Sequence, residues 1–171
     1  CGSAAILLAS EEIAKKFTDC PIWISGIGQK TISAGFTKNT DLTTMKSTID
    51  AATDAYKMSN IQPRDVDVAE IHDAFTICEI IELEDLGFAK KGKGSSYARN
   101  CYETQDRKIN PRGGLIGSGH PLGATGIAQI VEIVQQLQGK AEKRQVHGAR
   151  VGLVQNMSAA ATSSTVLILQ S

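Results

Sequence analysis

Apolar and polar residues alternate along Pro21-Ile22-Trp23-Ile24-Ser25-Gly26-Ile27, a run rich in branched residues that has the period of a half-buried strand. The period then changes. Leu42, Met45, Ile49, Ala52 and Tyr56 recur at three- and four-residue steps and predict a helix with one apolar stripe. That helix should stop near Asn60, because Pro63 lacks the amide proton to continue it and drives Gln62 to extended angles. Val66 to Ile71 predicts a short strand, after which Asp73 is an expected N-cap and Ala74, Ile77, Cys78 and Ile81 share one face of a helix. From Gly87 to Arg112 no period is visible, and the basic, glycine-containing stretch Lys90 to Tyr97 predicts a long surface loop. Helical spacing returns after His120 with Ile127, Ile130, Val131, Val134 and Leu137, and Gly139 lies just past the end. Arg150 to Asn156 and Ser163 to Leu169, parted by Ser158-Ala159-Ala160-Ala161, predict a closing hairpin, while Cys1 to Leu8 looks like a strand already in progress. Strand and helix alternate without a repeat or linker. The expectation is one α/β layered domain over residues 1–171 with a mixed sheet.

Composition narrows the class of function. Basic and acidic residues balance at 18 each, so the electrostatic footprint of a nucleic-acid or anionic-membrane binder is missing. No run approaches the roughly 18 apolar residues of a spanning helix, and the first residues lack the basic and long apolar segments of a secretory signal. Cys1, Cys20, Cys78 and Cys101 form no close pair, which argues against a metal site or a disulfide framework and for reduced thiols in a cytoplasmic setting.

Chemistry has two candidate places. Ile71-His72-Asp73-Ala74-Phe75 falls where a strand's carboxyl end meets a helix, the position at which sites form on α/β sheets. On those residues alone the plainer reading is an interior histidine bonded within its loop, with Asp73 only a cap. The second place is Pro111 to Gly126, with six glycines in sixteen positions around one histidine. Pro121 restricts His120 to extended angles, so its imidazole rides on a constrained backbone. Neither a phosphate-loop nor a dinucleotide fingerprint is present, although a packing loop with an incidental histidine stays open.

Gly119-His120-Pro121-Leu122-Gly123-Ala124-Thr125-Gly126 resembles the histidine motif of thiolases, and His72-Asp73-Ala74-Phe75 is similar to their Asn-Glu-Ala-Phe signature in its His-Asp form, known from the archaeal and sterol-carrier-type branches. The order and separation of the motifs agree, and the resemblance covers essentially the whole chain. It implies one α-β-α half of a five-layered α-β-α-β-α fold, the C-terminal half of an enzyme that transfers acyl groups between coenzyme A thioesters, most simply two acetyl-CoA to acetoacetyl-CoA and CoA. In that family a cysteine carries the acyl group. His120 would take the thiol proton and His72 would help hold the substrate oxygen. Gly119, Phe75 and Asn156 would lie along the coenzyme A thioester, with Phe75 equally readable as a core aromatic. No bound cofactor or metal is implied.

Two departures from the family are visible. Its nucleophilic cysteine belongs to the N-terminal half, and none of the four cysteines here stands in that motif. The chain should therefore act only with a companion half, either a separate subunit or the same polypeptide cut before Cys1. Many thiolases also carry a Cys-x-Gly acid–base near the C-terminus, where Asn156 stands here, and the sterol-carrier-type alternative falls on Ala74. Cys78 is a speculative substitute, with a buried structural thiol as its plainer reading. Hence a non-catalytic acyl-CoA-binding or assembly subunit is the alternative. A ketosynthase is weaker, for want of a His-Gly-Thr-Gly-Thr run. The resemblance also implies an oligomer, and in the archaeal branch association with a zinc-bearing OB-fold protein and hydroxymethylglutaryl-CoA synthase.

Overall fold

The central sheet is four-stranded and is built from β1 (Trp23–Thr31), β2 (Val68–Glu70), β3 (Val151–Met157) and β4 (Ser163–Gln170) in a computed structural model that describes residues 1–33 and 41–171. Its order is β1-β4-β3-β2. β3 and β4 form the expected hairpin, β1 runs antiparallel to β4, and β2 runs parallel to β3, so the sheet is mixed.

Helices cover both faces. On one side lie α2 (Lys46–Ser59) and α3 (Thr76–Asp85), whose Ala51, Ala52, Ala55, Leu83 and Leu86 pack on Ile71, Leu153, Val166 and Ile168. α2 approaches closely because β1 presents Gly26 and Gly28. A Cβ at either would collide with a carbonyl of Ala55 or Ala51. On the other side α6 (Thr125–Leu137) sets Ile133 and Leu137 against Val68, Val154 and Leu169. This is a three-layer α-β-α arrangement.

Several local expectations are corrected. Residues 1–9 form no strand, and Leu7 and Leu8 are exposed, with no strand among the described residues pairing with them. They are followed instead by a short helix, α1 (Glu11–Phe17). α2 ends as predicted, with Asn60 left-handed at φ 56°, but its buried face is the small-residue set Ser47, Thr48, Ala51, Ala52 and Ala55; Leu42 lies outside the helix and is exposed. The predicted loop contains α4 (Gly94–Thr104), which packs on α3 while Tyr97 and Ala98 reach the core. α6 buries Thr125, Gln129, Glu132, Ile133, Gln136 and Leu137, so much of its predicted apolar stripe, including Ile127 and Val131, is only half-buried.

Candidate active site

The strand β2 ends at Glu70 and hands the chain to a buried turn carrying His72 and Asp73. Asp73 does not cap α3. Phe75 is the N-cap of α3, and the Asp73 carboxylate instead accepts the amide of Leu115 in α5 (Gly114–Ser118), a short helix inside the glycine-rich segment. A second tie starts at Glu70, whose buried carboxylate lies 3.6 Å from the Arg112 guanidinium. Burial pushes the Glu70 carboxyl up to about 7 despite that cation. Asn110 adds a third tie, accepting the Ile71 amide at 2.8 Å. These contacts pin the segment before His120 to the segment bearing His72.

The two imidazoles meet as a result. Their centroids are 4.9 Å apart and the rings stand at 89°. His72 is only 5% exposed, whereas His120 lies on the open side of the pair. The His72 amide donates to Gln155 Oε1 at 2.9 Å, and its Nδ1 sits 3.0 Å from Asn156 Nδ2. Burial, with His120 adding to it, lowers the His72 imidazole to about 4, so this ring is neutral at physiological pH.

His120 is oriented by Thr125 at the start of α6. Thr125 Oγ1 donates to the Pro121 carbonyl at 3.2 Å, and that oxygen can only accept. With the hydroxyl hydrogen on that bond, Nδ1–H of His120 donates to Thr125 Oγ1 at 2.8 Å; in the other tautomer the hydroxyl donates to Nδ1. In the first of these arrangements Nε2 of His120 carries the lone pair, the form a general base requires.

Both rings line a cavity of about 610 Å³ whose wall also includes Leu42, Phe75, Cys78, Leu122, Asn156 and Ala160. Phe75 is 71% exposed and Leu122 82% exposed, so the mouth is apolar and unburied. Of the residues singled out from the sequence, His72, His120, Phe75 and Asn156 stand on this wall; Gly119 does not, and at φ 85° it turns the chain into His120. Cys78 also faces the cavity, and burial pushes its thiol up so that it keeps its proton at neutral pH. Ala160 and Ala161 hold left-handed angles, φ 57° and 52°, on the same wall.

Thr125, Gln129 and Gln155 escaped the sequence reading as site residues. The signal for Gln129 was present, since Gln129, Glu132 and Gln136 interrupt an apolar helix at helical spacing and are the side it buries. The four cysteines are free thiols, and no cluster of metal-binding side chains occurs among the described residues. No helix among them is long and apolar enough to cross a membrane.

Residues 28–171 match the family described as thiolase C-terminal domain-like. The chain is 40% identical over 169 residues to an acetyl-CoA acetyltransferase of Methanothermobacter thermautotrophicus, covering 98% of this chain and 44% of that protein. It is 40% identical to sterol carrier protein 2 of Oryctolagus cuniculus, over 91% of this chain and 30% of that protein. It therefore spans less than half the length of these relatives. Among solved structures, an Ltp2-ChsH2(DUF35) aldolase superposes with a TM-score of 0.79 at 23% identity, over 94% of this chain and 42% of that one.

Proposed function

Because the chain belongs to the thiolase C-terminal domain-like family, we propose that it is the histidine-bearing half of an acyltransferase that joins two acetyl-CoA into acetoacetyl-CoA and free CoA. The observation that carries this reading is the imidazole pair, 4.9 Å apart on one cavity, with Nδ1 of His120 held by Thr125 and a neutral ring at His72.

The chemistry follows from those two states. A free thiol, with a pKa of about 8.5, is mostly protonated at neutral pH and is a poor nucleophile until a base takes its proton. His120 Nε2 takes that proton from a cysteine outside residues 1–171. The thiolate attacks the thioester carbon, the carbonyl electron pair moves to oxygen, and the His72 N–H stabilises that oxygen. Collapse expels the CoA thiolate, which recovers the proton from His120. In the second half-reaction the α-carbon of another acetyl-CoA loses a proton and attacks the acyl-enzyme, releasing the cysteine. Asn156 cannot carry that proton. Cys78, on the same wall and holding its own proton, could take this one only as the thiolate, after passing its proton to a base such as His120, which would return it to the released cysteine.

An incomplete surface supports the need for a companion half. β1 pairs Ile24 with Leu169 and Ile27 with Leu167, on the face where α6 packs, yet Ile24 and Ile27 are 50% and 46% exposed. Another layer over this strip would remove the apolar surface from water.

A second reading, a non-catalytic acyl-CoA-binding subunit, is favoured by Asn156 and Ala74 at the positions where a proton-exchanging cysteine is expected. One assay separates the two. The complete protein, given acetoacetyl-CoA and CoA, should show saturable loss of the acetoacetyl-CoA absorbance. Folded protein that binds CoA without turnover would establish the binding subunit instead.

A further inference from the structure

We propose that Gln129 and Asn156 are positioning residues that fix the His72 proton on Nε2 and so make His72 a permanent donor toward the substrate oxygen. The proposal deepens the acyltransfer reading above and rests on it for the identity of that oxygen.

The argument runs along a chain of hydrogen bonds whose polarity has one solution. It begins at the backbone carbonyl of Gln155 in β3, which can only accept. Gln129 Nε2 donates to it at 3.0 Å, and this orients the Gln129 amide with Oε1 toward Asn156. Oε1 also can only accept, so the atom of Asn156 that meets it at 2.9 Å is Nδ2. The same Nδ2 meets His72 Nδ1 at 3.0 Å with its other hydrogen. Nδ1 must then present its lone pair, and the ring proton resides on Nε2. Turning the Asn156 amide over would set two carbonyl oxygens against each other beside fully buried Gln129.

His120 Nδ1 is held separately, 2.8 Å from Thr125 Oγ1. Both amide hydrogens of Asn156 are engaged, so this position serves hydrogen-bond geometry and not proton exchange. Ionisable groups around His72 do not disturb the arrangement. The facing group is His120, the adjacent Asp73 is engaged by the Leu115 amide, and burial pushes the carboxyl of Glu82 from α3 well up, which disfavours a charge there. The neighbours from β3 and α6 are the uncharged Gln155, Asn156 and Gln129.

The test is nitrogen-15 NMR of the complete protein labelled at histidine, with thiolysis measured on the same samples. In the wild type His72 should show a protonated Nε2 and a bare Nδ1, without titrating between about pH 5 and about pH 9. In Asn156→Asp the carboxylate cannot donate, so Nδ1 should gain a proton and His72 should titrate inside that window. Its Nε2–H is then lost as pH rises. kcat should fall by about tenfold or more at the alkaline end, with KM little changed. A wild-type proton on Nδ1 overturns the proposal even if the variant does not fold, as does a variant whose His72 shifts do not change. The predicted tautomer in a protein without thiolysis would refute the reaction and uphold the positioning.

Discussion

His120→Ala is expected to lower kcat/KM for acetoacetyl-CoA thiolysis by about three orders of magnitude while leaving folding and assembly intact. A positioned general base contributes roughly 10²–10⁴, and the same imidazole returns the proton to the departing CoA. Alanine also removes the ring's hydrogen bond with Thr125, but that bond is at a partly exposed site, and Thr125 keeps its contact with the Pro121 carbonyl. The stability cost should therefore be about 1 kcal/mol or less. Thiolysis within tenfold of the wild type, in protein of unchanged melting temperature, would remove His120 from the role assigned here.

The second large effect is structural and comes from a glycine. Gly114→Ala should destabilise the protein by about 2–5 kcal/mol, the sum of an overpacking cost and a left-handed backbone cost. Gly114 has φ 62°, and a Cβ there would fall within the carboxylate of Asp73, itself only 3% exposed. The methyl must displace Asp73, which breaks its bond to the Leu115 amide and loosens the tie that holds the two histidine segments together. Thermal unfolding of the complete protein should show a melting point lower by several degrees, and activity should fall with it. Gly117→Ala is the control. No atom lies within 4 Å of its Cβ position, and its backbone is helical, so the change should be within about 0.5 kcal/mol. Equal effects of the two substitutions would contradict the packing argument.

Elements with one strong local period were legible in the sequence. β1, β2, α6 and the closing hairpin lie within a few residues of the predicted runs, and the stop of α2 at Asn60 follows from Pro63 and is realised by a left-handed residue. What escaped depends on tertiary partners. α4 has a polar, glycine-flanked sequence and is defined by Tyr97 and Ala98 meeting the core beside α3. The buried side of α6 is chosen by hydrogen bonds as much as by apolar contact, since Gln136 Nε2 donates to the Arg144 carbonyl and Gln129 Nε2 to that of Gln155. A hydrophobic pattern does not register such a face. Its apolar residues instead fall partly outside the buried side, as Ile127 and Val131 do.

The site shows the same division. His72 and His120 were visible as motif residues, but the sequence made Asp73 a helix cap. Its acceptor role toward Leu115 emerges only once a segment forty residues away folds over it. Asn156 was visible as the residue standing where a cysteine is usual. Its engagement of His72 depends on Gln129, which lies on a different element, and on the carbonyl of its own neighbour Gln155. Spacing along the chain carries no trace of such a relay.

The central claim is that this chain supplies the imidazoles and another segment supplies the sulfur. Brief exposure of the complete protein to acetyl-CoA, followed by peptide mass spectrometry, tests it most directly. One acetyl group should appear on a cysteine outside residues 1–171, and its appearance should be suppressed in His120→Ala. Acetyl carried by Cys1, Cys20, Cys78 or Cys101, or labelling that proceeds unchanged without His120, would contradict the account.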